Sequence, residues 1–246
     1  MKTAEPALRP GDRVVEASFI AGAKARDQFP PPVVVEIAFA GRSNVGKSSL
    51  LNCLLERRNL VRTSSTPGCT RQVSWFEAKC DDAARLMLVD LPGYGYAKRS
   101  KSERTLWGNL IDGYIVTRPT LRGVVLLVDV RRGLEDDDLE LIKMIKSPQE
   151  VTRPQIELAV VATKLDKLSR ADHKPRLEAL VKQAGFPVLG FSATTRAGRL
   201  PLWRKLRRIA AVGLDSIPVD EKREARDEGA DAASSSQDAE RIDAPA

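Results

Sequence analysis

From Val33 onward, apolar and polar positions follow two alternating rhythms. Short apolar runs rich in β-branched residues recur at VVVEIAFA, LMLVD, GVVLLVDV, IELAVVAT and PVLGFSA, each bounded by turn residues. Runs of that length and composition read as central parallel strands covered on both faces. Between them, helical spacing occupies residues 47–57, 103–117, 135–145, 174–184 and 199–212. VSWFEAK alternates and reads as a strand at the sheet edge. The pattern predicts an α/β fold: a doubly wound, mostly parallel six-stranded sheet with helices on both faces.

The ends read differently. Residues 1–33 form an N-terminal extension with a short helical pattern around 14–25. DQFPPP stops it, because proline restricts both itself and its predecessor. The main domain spans 34–213. The tail, 214–246, carries SSS, many charges and almost no aromatics, and is expected to be disordered.

Charge sharpens this division. The net charge is +7, yet residues 215–246 hold ten acidic and four basic residues, a net of −6. The body keeps 36 basic and 23 acidic residues, a net of +13. Such a body suits a polyanionic partner such as nucleic acid, or serves as a solubilising surface. No apolar segment approaches the roughly 20 residues that span a bilayer, and the first residues lack the apolar core of a signal peptide. The expectation is a cytoplasmic protein with no membrane attachment, and a monomer. Three cysteines without a CxxC pair argue against disulfide frameworks and zinc sites. The single histidine, His173, reads as a solvated loop residue.

The chemistry gathers at strand ends. GRSNVGKSSLLN follows the first strand and opens a helix, the setting in which GxxxxGK[ST] is credible. Gly41 and Gly46 allow a tight turn whose N–H groups converge on an anion, aided by the helix N-terminus. Lys47 can reach the β- and γ-phosphates, and the Ser48 hydroxyl can ligate Mg²⁺. DLPG ends the LMLVD strand; Asp90 there can hold Mg²⁺ through water, and the Gly93 amide can sense a γ-phosphate. TKLD ends the IELAVVA strand. Its Asp166 carboxylate can accept from N1–H and the 2-amino group of guanine, a donor pair that adenine lacks. The Lys164 stem can lie along the base. FSA can offer a backbone N–H to guanine O6. TPGCTR lies in the long link before VSWFEAK, where Thr70 can close over Mg²⁺. Each later motif is weak alone; five in this order are specific.

EIAFAGRSNVGKSSLLN, TPGCTR, DLPGYGYA, LVDVRRGLEDDDLE and TKLDK together resemble the EngB family of bacterial ribosome-assembly GTPases, a branch of the translation-factor class with a Ras-like fold. The resemblance covers roughly residues 14–212. It implies binding of GTP, GDP and Mg²⁺, association with the large ribosomal subunit or its precursor (rRNA and ribosomal proteins), and a link to cell division and septation. Carried over by position, the nucleotide contacts would be Gly41, Arg42, Ser43, Asn44, Val45, Gly46, Lys47 and Ser48 in the first loop. Gly68, Cys69, Thr70, Arg71 and Gln72 would follow, then Asp90, Leu91, Pro92 and Gly93. Thr163, Lys164, Leu165 and Asp166, with Phe191, Ser192 and Ala193, would hold the base. Ser48 and Thr70 would hold the metal, and Lys47, Thr70, Gly93 and Asn44 would serve catalysis. Thr163 stands where many GTPases have asparagine, a variant that matches the EngB pattern.

Ras-like GTPases place a water-positioning glutamine after DxxG. Here that position is Tyr94, whose side chain is expected to point away from the phosphate, so intrinsic hydrolysis should be slow. Stimulation by potassium or by ribosomal particles is expected to compensate. Two readings stay open for Asn44: it resembles the P-loop asparagine that helps hold K⁺ in related GTPases, or it bonds its own loop. Tyr94, Tyr96, Lys98, Arg99, Lys101 and Arg104 make an aromatic and basic segment suited to RNA, or a mobile solvated loop. Trp107, Leu110, Ile111, Tyr114 and Ile115 read as core. Two rival readings are a GTP-dependent binding module without useful turnover and a P-loop kinase of a small metabolite, which leaves TKLD unexplained.

Overall fold

The structure is a computed structural model that describes residues 7–61, 72–94, 108, 110–111, 113–146 and 155–211. Seven strands form one sheet: β1 (Val14–Ala23), β2 (Glu36–Gly41), β3 (Val73–Cys80), β4 (Arg85–Asp90), β5 (Leu121–Asp129), β6 (Glu157–Thr163) and β7 (Val188–Gly190). The spatial order is β1-β3-β4-β2-β5-β6-β7. The five strands from β4 to β7 are parallel, while β3 runs antiparallel to both β1 and β4. Four helices carry labels: α1 (Lys47–Leu54), α2 (Asp136–Lys146), α3 (Arg170–Ala184) and α4 (Arg199–Ala211). A further helical segment ends at residue 117.

β2 and β5 are buried along their whole length. That is why they read as continuous apolar runs rather than as alternation. One face packs Trp75, Tyr114, Ile142 and Leu180; the other packs Leu50, Leu54, Trp203 and Leu206. The helices therefore lie on both sides of the sheet, as expected. Leu110, Ile111, Tyr114 and Ile115 are buried as predicted, while Trp107 lies outside the described residues.

Five expectations are corrected. Residues 14–23 form a strand, not a helix, and the sheet has seven strands instead of six. Register shifts between Val14 and Glu16 and between Phe19 and Ala21 break the two-residue alternation of β1. A bulged strand loses the periodicity that would mark it, and Val14, Val15, Phe19 and Ile20 then mimic helical spacing. VSWFEAK is not an edge strand, because β1 pairs along it and takes the edge. The N-terminal extension thus belongs to the same sheet as the main domain. His173 sits in the first turns of α3, half-buried, not in a loop. That helix starts earlier than expected, at Arg170, because the Ser169 hydroxyl caps Asp172 N–H. The tail expected to be disordered lies outside the described residues.

Candidate nucleotide-binding site

The loop after β2 and the loop after β5 leave the sheet in opposite directions, toward β4 and toward β6. A crevice at the carboxyl ends of the strands is the standard consequence of that switch. Here it encloses about 240 Å³ and is lined by residues from both loops, among them Ser43, Asn44, Asp129, Arg131 and Lys164.

The first loop is shaped by two left-handed residues, Asn44 (φ 63°) and Gly46 (φ 102°). Its carbonyls are taken from behind: Asn44 O accepts from Lys164 Nζ at 2.6 Å and Val45 O from Thr163 Oγ1 at 2.7 Å. In a trans peptide the following N–H points the opposite way, so the Gly46 amide faces the open side of the loop. The first N–H groups of α1 have no intrahelical partner and point the same general way. Such a concave set of amides at a helix N-terminus is a phosphate cradle. Lys47, buried at the start of α1, forms an ion pair with Asp90, the last residue of β4. Gly93 abuts the loop so closely that a Cβ there would lie 3.2 Å from Ser43 N and Oγ.

The TKLD segment lies two strands away from β2, behind the cradle. Thr163 Oγ1 also donates to Val128 O at 3.1 Å, which ties β6 to β5 at their ends. Lys164 adopts φ 61°, a left-handed conformation that costs a non-glycine residue energy and is held by the contacts of its side chain. Asp166 Oδ1 accepts from Ser192 Oγ at 2.7 Å, and Leu165 N donates to Phe191 O at 3.1 Å. The Ser192 hydroxyl, with burial opposing it, holds the Asp166 carboxyl below the usual carboxylate range. The base-recognition segments TKLD and FSA are therefore braced against each other.

The structure thus brings 41–48, 90–93, 163–166 and 191–193 to one end of the sheet. Gly68, Cys69, Thr70 and Arg71 lie outside the described residues. Gln72 is described and stands on the β1 side, against Gly22, with its amide donating to Ser74 Oγ at 3.3 Å. Ser48, half-buried, follows Lys47 in the chain, and Lys47 pairs with Asp90. Hydroxyl and carboxylate oxygens are the hard donors that Mg²⁺ prefers, so this donor set fits that ion.

Sequence reasoning missed several groups. Asp129, Arg131 and Asp138 all face the crevice. Arg42, in the first loop, pairs with Glu135 at 2.6 Å and Asp137 at 3.7 Å. The acidic run 135–138 does open α2 as expected, but it also binds that loop arginine. The available signal was the stretch LVDVRRGLEDDDLE itself, whose aspartate at the end of a buried strand mirrors Asp90.

A phosphate cradle after the first parallel strand, DxxG after the next and TKxD after a third define a P-loop GTPase. A family model described as 50S ribosome-binding GTPase matches residues 36–164. The probable GTP-binding protein EngB of Desulforapulum autotrophicum is 43% identical over 196 residues, covering 78% of this chain and 96% of its own. Its counterpart from Desulfatibacillum aliphaticivorans is 44% identical over 199 residues, covering 78% and 91%. The chain belongs to the EngB family of GTP-binding proteins. Among solved structures, a probable GTP-binding protein EngB aligns with a TM-score of 0.55 at 23% identity, covering 72% of this chain and 99% of that one. Aquifex aeolicus Era bound to GDP and AlF4⁻ aligns with a TM-score of 0.58 at 23% identity, covering 72% and 57%. At these identities the two support the fold. Among the described residues, no helix is long and apolar enough to cross a membrane.

Proposed function

We propose that this GTPase is a cytoplasmic, monomeric switch in assembly of the large ribosomal subunit, on which normal division and septation depend. The observation that carries the reading is the family match: a GTPase family described as 50S ribosome-binding spans the cradle, DLPG and the start of TKLD. The net charge of +13 on the body agrees with a polyanionic partner. Some of the body's basic groups are paired inside the fold, which leaves that net charge unchanged. Arg204 pairs with Asp12, Arg207 with Asp82 at 2.5 Å, and Arg199 with Glu56 at 2.7 Å. We assign RNA contact to Lys98, Arg99, Lys101 and Arg104 on the sequence alone, because they lie outside the described residues.

In the proposed cycle the amides of residues 44–48 bind the phosphates, and Lys47 exchanges Asp90 for phosphate oxygens. Ser48, joined by Thr70, would hold Mg²⁺, which when bound neutralises charge developing on the phosphate oxygens. The Gly93 amide turns to the γ-phosphate. Asp166 and Lys164 select guanine. Release of the switch segments after hydrolysis lowers affinity for the partner. Co-sedimentation with purified ribosomal subunits in GTP, GDP and a non-hydrolysable analogue tests the reading. The large subunit should be bound with GTP and weakened by GDP and by salt. Absence of binding with GTP, or indifference to both nucleotide and salt, would overturn it.

A further inference from the structure

Asp129 ends β5 and stands in register with Thr163, the first residue of TKLD. Its side chain is buried. Oδ2 pairs with Lys164 Nζ at 3.1 Å. The same carboxylate takes three donors from Arg131: the backbone N–H at 3.0 Å, Nε at 3.0 Å and Nη2 at 2.7 Å. Lys164 Nζ also donates to Asn44 O at 2.6 Å, and its stem would lie 3.8 Å from a Cβ on Gly46. The ammonium of the base-recognition lysine is thus fixed between a cradle carbonyl and one buried carboxylate. That carboxylate is itself oriented by an arginine two residues along.

We propose that Asp129 is a positioning residue for nucleotide retention: through Lys164 it locks the base-recognition loop to the phosphate loop, so that base and phosphates are held by one rigid unit. The inference rests on the assignment of 163–166 to guanine. A flexible lysine has four rotatable bonds to immobilise, and losing that entropy only on binding costs affinity. Lys164 is pre-ordered by Asp129 and held in a left-handed backbone that no local feature of the sequence favours. Without the carboxylate, the ammonium keeps one partner and the loop loses its ion pair to β5. The nucleotide should then leave faster.

The test is a double-mutant cycle on the release rate of a fluorescent GDP analogue, with Asp129→Asn, Lys164→Met and the double variant. Asp129→Asn should speed release by about tenfold, and adding it to Lys164→Met should change the rate by no more than about twofold. Effects that simply multiply would overturn the proposal, because a carboxylate that merely folds its own loop through Arg131 acts independently of Lys164. Should the asparagine variant not fold, Asp129→Glu carries the same cycle, with its charge kept but displaced. Competition of GTP against ATP on the wild type separates the two levels. Equal binding of ATP removes the guanine assignment itself, whereas guanine preference with multiplicative variants removes only the role of Asp129.

Discussion

The Tyr94 hydroxyl donates to Asp138 Oδ1 at 2.6 Å, with both side chains buried. Tyr94 follows DLPG directly, and its backbone pairs with the phosphate loop: Ser43 N donates to Tyr94 O at 3.0 Å and Tyr94 N to Gly41 O at 3.4 Å. Asp138 in turn accepts from Glu135 N at 2.9 Å through its other oxygen. The residue in the usual water-positioning place is therefore committed to the first turn of α2. Burial, then the Asp138 charge, pushes the phenol far above its ordinary range, so it has no use as a base.

Tyr94→Phe should consequently leave GTP turnover nearly intact while destabilising the fold. Removing the hydroxyl strips one donor from a buried carboxylate, which costs about 1–3 kcal/mol. Urea unfolding and a hydrolysis assay on the same protein check both halves. A drop in turnover near the roughly hundredfold that a lost general base produces would place the hydroxyl in the chemistry after all.

Asp166→Asn should lose GTP and gain xanthosine triphosphate, since an amide can donate to the carbonyl that xanthine carries at position 2. Asn can still accept from Ser192 Oγ through its carbonyl oxygen, so the brace between TKLD and FSA survives. Competition binding with the two nucleotides decides it; unchanged preference for GTP would remove Asp166 from the base site.

How much of this was legible in advance follows from how local each signal is. The cradle, DLPG and TKLD are contiguous and sit at the ends of unbroken apolar runs, so their place on the sheet could be read directly. β1 could not, because two bulges erase its period and its pairing with β3 is a tertiary fact. Asp129, Asp138 and the acidic partners of Arg42 were hidden for another reason. Each acts through a partner that is between 35 and 95 positions away, and nothing in a single sequence ties Tyr94 to Asp138. Glu36 sits inside the apolar run VVVEIAFA, and nothing in that run announces its partners Trp75, Tyr114 and Arg118.

Potassium dependence gives a third expected outcome. Asn44 is exposed at the mouth of the loop, with its carbonyl held by Lys164 and its side chain on the open side. Hydrolysis should be faster in potassium chloride than in sodium chloride at equal ionic strength. Asn44→Ala should erase that difference and leave GTP affinity within a few-fold, about the loss of one modest hydrogen bond. Equal rates in both salts would leave Asn44 a loop-stabilising role only.

Acid should weaken the fold through its paired carboxylates. The Arg204 guanidinium holds Asp12 below the ordinary carboxylate range, against the cost of burial, and Arg207 does the same for Asp82. For Asp129, burial is outweighed by Arg131 and Lys164. A lowered folded-state pKa means that the unfolded chain takes up protons first, so stability is present above the ordinary range and lost as pH falls through it. Asp138 runs the other way: burial raises it, and its share declines as pH rises. Four lowered groups, Asp166 included, against one should leave a net loss below about pH 4. Asp12→Asn should lower stability at neutral pH and flatten the acid limb in urea titrations. An unchanged acid limb would show that the Asp12–Arg204 pair does not contribute to it.

The buried network on Glu36 yields the largest expected stability effect. Glu36 opens β2, the strand that leads into the cradle, and is almost fully buried. Its carboxylate takes Arg118 Nε at 2.8 Å and Arg118 Nη2 at 2.5 Å on one oxygen, and Tyr114 Oη at 2.6 Å and Trp75 Nε1 at 3.3 Å on the other. Arg118 also donates to Pro30 O at 2.7 Å and lies over the Trp75 ring, 5.7 Å from its centroid. The network joins the N-terminal segment, β2, β3 and the helix ending at residue 117, the helix reached through the segment after DLPG. Removing one partner of a buried ion pair leaves an uncompensated charge and costs about 3–5 kcal/mol. Arg118→Met should therefore unfold at markedly lower urea than wild type. Glu36→Gln combined with Arg118→Met, which leaves no net charge behind, should recover part of the loss. A single-variant effect under about 1 kcal/mol, or no recovery in the pair, would show that the charge at Glu36 is compensated from elsewhere.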